Sequence, residues 1–186
     1  MVNQQEIKHC NVRCFAHSPD SLLAWEFFIF FARFEYSLKR KSEYLMHKNA
    51  DAKPNWDKYA SDVNGDFISM ESKELDDATT YFIETPPCKQ ITKDGELRWS
   101  DPQKWNRKEP KLIWLLGVVR TVRNNLFHGG KYPLVLVREP SRDSELIKHA
   151  LVILQHALSL NPDIENIFNE DFLNCKKSSR CLHFFH

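Results

Sequence analysis

Arg123-Asn124-Asn125-Leu126-Phe127-His128-Gly129-Gly130 places a permanent cation, two amides and an imidazole within eight residues. Histidine is the side chain whose unperturbed pKa lies near neutrality, so His128 can take up or give back a proton. Arg123 brings a planar fork that matches phosphate oxygens, and a fixed charge suited to a developing anion. Asn124 can orient the imidazole or hold the same anion. Together they equip the chain for acid–base chemistry on a bound anion. The same residues also fit an ordinary helix stop. Glycine commonly ends a helix, and a basic residue in the last turn is favourable with the helix dipole. On that reading Arg123 pairs with Glu35 or Glu109.

These residues close a helical pattern, EPKLIWLLGVVRTVRNNLFH. At about 100° per residue, Leu112, Leu115, Val119, Val122 and Leu126 fall in one sector and form a core stripe. Ile113, Gly117, Arg120, Thr121, Asn124, Phe127 and, if the helix persists, His128 fall opposite, with Arg123 at the edge. A solvated face would be mainly Lys, Glu and Gln. This mixed face has the composition of an interface or a cleft wall. Gly117 costs about 1 kcal/mol of helix stability relative to Ala, so a close backbone approach is expected there.

Other elements must position this helix. SPDSLLAWEFFIFFARFEYSLKRKSEYLMHK reads as one long helix, with Ser18 as N-cap, Pro19 in the first turn, and Glu35 and Lys39 as an i,i+4 pair. From Leu22 to Phe34 it is apolar nearly all round, so it should be covered on two sides, by its own core and by a second subunit. Trp56, Tyr59, Ala60, Val63 and Phe67 recur at helical spacing, as do Leu75, Ala78 and Phe82. Asp94-Gly95 between short β-prone runs signals a hairpin, an excursion between helices. A loop holding Pro133 and Pro140 precedes DSELIKHALVILQHALSL, another amphipathic helix. Asn161 caps a last helix, NPDIENIFNEDFL, with Pro162 inside it. The expected class is all-α, a helical bundle with a small β-hairpin insertion at about 86–104. The expected layout is an arm over 1–17, the helical domain over 18–173 and a tail over 174–186.

A chain of 186 residues is long enough for a core without disulfides or metals. Its net charge of +1 creates no global attraction for a polyanion, so any such partner needs a local patch. Five cysteines at irregular spacing, behind a polar start without an apolar leader, suggest reduced thiols in a cytoplasm. No run approaches the roughly 20 apolar residues of a membrane span. His9, Cys10, Cys14 and His17, and later Cys175, Cys181, His183 and His186, are zinc-capable. Neither set has a tight Cys-x2-Cys with a matching second pair, so neither a metal nor a cofactor is assigned. His149 and His156 read as ordinary helix residues. RKEPK at 107–111 and LKRKSEY at 38–44 are short basic runs that could flank a cleft or simply be solvated.

Arg123, the polar Asn124, a four-residue spacer and His128, closing a core helix behind the aromatic FFARFEYSLKRK helix, resemble the HEPN superfamily. The Arg-Asn start and His-Gly end are similar to its ribonuclease branches. The resemblance spans roughly residues 18–160 in helix order. It implies a helical bundle that dimerises so that two motifs share one cleft. It also implies metal-independent endoribonuclease activity in toxin–antitoxin or phage-defence systems, with an antitoxin or regulatory protein as partner. Arg123, His128 and Asn124 would be catalytic, Arg120, Lys131 and Asn125 would hold substrate, and Glu35 would support Arg123. Arg120 and Lys131 are equally readable as solvated charges. Some members have lost activity, so an inactive RNA- or protein-binding module is the alternative.

Overall fold

A computed structural model describes residues 21–46, 51–127 and 140–170, the side chains of residues 140 and 141 excepted. These residues form six helices and one two-stranded hairpin, so the chain is all-α with a small β insertion. The helices are α1 (Ser21–Lys39), α2 (Trp56–Ser69), α3 (Lys73–Glu84), α4 (Lys111–Phe127), α5 (Pro140–Ser159) and α6 (Pro162–Asn169). Strands β1 (Gln90–Lys93) and β2 (Glu96–Trp99) pair antiparallel between α3 and α4. The expected arm, Ser18 cap, Gly129-Gly130 stop and tail lie outside the described residues.

Helix α1 is shorter than its sequence pattern suggested. Its buried stripe is Phe27, Phe31, Phe34 and Leu38. The next positions on that stripe are Lys41 and Ser42, which offer no apolar surface to hold another turn. The chain instead makes a 3-10 turn at Ser42–Tyr44, and Leu45 bridges to Pro54. Tyr44 is thereby buried, and Lys41 pairs with Asp163 at 2.6 Å. The expected pair between Glu35 and Lys39 is not among the ion pairs of the described residues.

The remaining helices follow local chemistry. Asn55 caps α2 by accepting from the Lys58 amide, and Ser72 caps α3 by accepting from Leu75. Asn161 caps α6 by accepting from Ile164, with Pro162 in the first turn, as expected. Pro140 does not lie in the preceding loop; it opens α5, where its missing N–H needs no helical partner. Helix α5 contacts all five other helices. Accordingly Ile147, Ala150, Ile153, Leu154 and Ala157 are almost fully buried on it.

The hairpin turn is made by Asp94 and Gly95, both at positive φ (55° and 79°). That matches the twist of the flanking strands, as Asp-Gly turns commonly do. All eight strand residues are exposed, so the hairpin projects from the bundle. The segment after it folds back on α4. Trp114 Nε1 donates to the Gln103 carbonyl at 2.8 Å, and the Gln103 amide donates to the Thr121 hydroxyl at 3.0 Å.

The stripe expected on α4 is buried: Leu112, Leu115, Val119, Val122 and Leu126 all lie in the core. The opposite face divides. Thr121 is buried under Gln103, whereas Arg120, Asn124 and Phe127 are exposed. Gly117 has no close neighbour among the described residues, since an added Cβ would meet nothing within 4 Å. The expected backbone approach is therefore not present in the bundle. Gly117→Ala should stabilise the fold by about 0.5–1 kcal/mol through helix propensity alone, read as a rise in the urea midpoint.

Candidate active site at the end of helix α4

Arg123 and Asn124 are brought together in the last turn of α4. Arg123 Nη1 donates to Asn124 Oδ1 at 3.0 Å. The Arg123 guanidinium lies 5.5 Å from the Phe31 ring centroid, a cation–π contact that joins α4 to α1. Arg123 is half-buried and Asn124 exposed. The fork is thus restrained by a neighbour and a ring at the protein surface. His128, Gly129, Gly130 and Lys131 follow directly in sequence and lie outside the described residues.

The other candidates lie elsewhere. Arg120 faces α2, with Nη1 3.7 Å from Asp57 Oδ1 in an exposed pair worth little stability. Glu35 is half-buried on α1, and among the described residues no hydrogen bond or ion pair joins it, or Glu109, to Arg123. Asn125 points away from Arg123. Only 9% exposed, it donates to the Cys88 carbonyl at 2.9 Å and so ties the base of the hairpin to α4. Neither basic run adjoins Arg123 along these helices. Lys111 alone is about 18 Å of helix rise away, and Lys41 is paired with Asp163.

Helix α1 also carries an exposed apolar stripe. Leu22 (74% exposed), Trp25 (60%), Ile29 and Tyr36 succeed one another along α1. Trp25 stacks on Phe28 at 5.6 Å, and Phe28 meets Phe127 of α4 at 5.1 Å. The aromatic row thus continues from α1 onto the final turn of the motif helix. The sequence signalled this surface through an α1 that is apolar on more than one side.

Sequence reasoning missed a second concavity. A cavity of 220 Å³ is lined by Pro87, Cys88, Trp99, Asn125, Arg142 and Leu146. It lies where the hairpin base meets α4 and the first turns of α5. These residues are far apart in sequence. The available signals were the hairpin and its terminal tryptophan.

No group of His, Cys, Asp and Glu among the described residues could hold a metal ion; both zinc-capable termini lie outside them. No helix among the described residues is long and apolar enough to cross a membrane. No family model matches the chain, and neither a curated protein nor a solved structure matches it.

The two described helix histidines have packing partners. His156 contacts the Val152 carbonyl through Nδ1 (2.9 Å) and Ser72 Oγ through Nε2 (3.1 Å). Nδ1 thus faces a carbonyl acceptor, and Nε2 faces a hydroxyl that can donate or accept. His149 stacks on Tyr81 at 4.3 Å. Burial pushes its imidazole below the ordinary 6.5; Glu145 and Asp77 oppose the shift, and Lys148 adds to it. A lowered folded pKa means the unfolded chain binds the proton more tightly. The contribution is therefore intact above 6.5 and lost as pH falls through the folded value. Wild type should lose more stability than His149→Phe between about pH 8 and about pH 5, checked by urea unfolding. Equal losses would sink the assignment.

Proposed function

We propose that this chain is a cytoplasmic, metal-independent endoribonuclease of HEPN type, acting as a homodimer in toxin–antitoxin or phage defence. The observation that carries the reading is the restraint of Arg123 by Asn124 and Phe31 at the surface, five residues before His128 in the sequence. The aromatic stripe from Trp25 to Phe127 supports it. An isologous dimer places the same patch of both subunits in one interface, and Phe127, where the row ends, lies one turn from Arg123 on α4.

RNA supplies its own nucleophile. In the proposed reaction His128 removes the proton of a 2′-hydroxyl, and that oxygen bonds to the adjacent phosphorus. The bond from phosphorus to the 5′-oxygen breaks, and the partner's His128 protonates the leaving oxygen. The products are a 2′,3′-cyclic phosphate and a 5′-hydroxyl. Arg123 stabilises the charge that builds on the phosphoryl oxygens. Asn124 limits the rotamers of Arg123, so less freedom is lost in the transition state. An antitoxin or regulatory protein would act by covering this surface.

The test uses wild type, Arg123→Ala and His128→Ala, matched for folding and oligomeric state, with tRNA and a long unstructured RNA in EDTA. Wild type should cut and leave cyclic phosphate ends, and each variant should lose at least about 100-fold in rate. RNA that is bound but left intact by wild type would point to the inactive binding module. Equal cutting by all three would return Arg123–His128 to a helix end. Trp25→Glu should yield a monomer by light scattering and lose cleavage with it; an active monomer would overturn the shared cleft.

A further inference from the structure

The cavity under the hairpin has features that the proposed cleavage step does not use. Its volume, 220 Å³, is below the roughly 300–1,000 Å³ of pockets for drug-sized ligands. It has room for one flat ring system, with the rest of a nucleotide at its mouth. Trp99, 49% exposed at the end of β2, contributes an indole to the wall. Arg142, exposed in the first turn of α5, adds a cation. Pro87 and Leu146 supply apolar walls.

Asn125 supplies the polar recognition. Its Nδ2 already donates to the Cys88 carbonyl, which fixes the amide plane. Among the described residues its Oδ1 has no hydrogen-bond partner. The amide therefore offers an acceptor and one further N–H. A base edge with a donor beside an acceptor is the complementary pattern: the amine and ring nitrogen of adenine or cytosine, or the imino N–H and carbonyl of uracil.

We propose that this cavity is a nucleobase subsite that takes one base from a single RNA strand, stacked on Trp99, hydrogen-bonded by Asn125 and with its phosphate held by Arg142. The proposal rests on the RNA-directed reading above. Asn125 and Arg123 leave α4 about 200° apart, on different sides of a helix roughly 10 Å across. The base read here therefore belongs to a nucleotide neighbouring the cleaved one. The hairpin then has a role: it carries the stacking surface to the end of the motif helix. Seven Lys and Arg against four Asp and Glu between residues 88 and 111 make this segment locally basic within a nearly neutral chain.

The experiment titrates the full chain carrying His128→Ala, which should not cut, with labelled oligo-A, oligo-C, oligo-U and an abasic strand, read by fluorescence anisotropy. Oligo-A, oligo-C and oligo-U should each bind more tightly than the abasic strand. Adding Trp99→Ala should weaken oligo-A binding about 10- to 100-fold, and Trp99→Phe should restore most of it. Arg142→Ala should weaken all base-bearing strands alike and flatten the salt dependence. Equal affinity for intact and abasic strands, or no change with Trp99→Ala, would overturn the subsite. Failure to bind any strand would also overturn it and leave the hairpin face to a protein partner. Cleavage is scored separately in the wild-type background. Base-dependent binding without cleavage would sink the nuclease reading alone. Cleavage unaffected by Trp99→Ala, with intact and abasic strands bound alike, would sink the subsite alone.

Discussion

The hydroxyl of Tyr59 donates to the carbonyl of Ala157 at 2.6 Å, with the Tyr59 ring wholly buried. Ala157 lies in the last turn of α5, and its carbonyl also accepts from the Leu160 amide at 3.3 Å. The Tyr59 hydroxyl therefore takes the second lone pair of an interior carbonyl. Phe34 of α1 meets Tyr59 edge-on at 5.4 Å, and Tyr44 meets it at 5.2 Å. Phe31 and Phe34 both touch Trp56, one turn earlier on α2. One aromatic cluster thus fixes α1, α2 and α5 relative to one another. Burial drives the Tyr59 pKa well above its ordinary value, so the hydroxyl stays a donor across the physiological range.

Phe31 belongs both to that cluster and to the candidate site. One side of its ring packs on Trp56, and the Arg123 guanidinium lies over it. The placement of the surface cation thus depends on the placement of the core. On the other flank, Asn125 and Thr121 are engaged by the segment that carries the hairpin. The last turns of α4 are held between two surfaces of different character. One is an exposed aromatic row; the other is a concavity walled in part by the base of the insertion.

The helices were largely legible because their apolar spacing is strong and their caps are local. Ser72 and Asn161 satisfy amides within three residues. Asp94-Gly95 took the positive φ values of a tight hairpin turn, and no distant contact is needed to specify that. The end of α1 was less legible. Its pattern of good helix formers continues past Lys39, but burying Tyr44 against Tyr59 is a tertiary event. Gly117 misled for the opposite reason: a helical glycine suggests close approach, yet no described neighbour comes near.

The sequence by itself determined the helical class, the core stripe of α4, the hairpin, and the adjacency of Arg123 to Asn124. Each depends on residues within a turn or two of one another, so spacing and local hydrogen bonding suffice. Only the tertiary structure decided that Phe31 backs Arg123, that Arg120 faces Asp57, and that Asn125 turns away to hold Cys88. Only there do Trp99, Asn125 and Arg142 come to share a cavity. These relations join residues from 37 to 92 positions apart for the Cys88–Asn125 and Phe31–Arg123 pairs respectively. Periodicity along one helix gives the direction of a side chain. What it meets is set by how the helices pack.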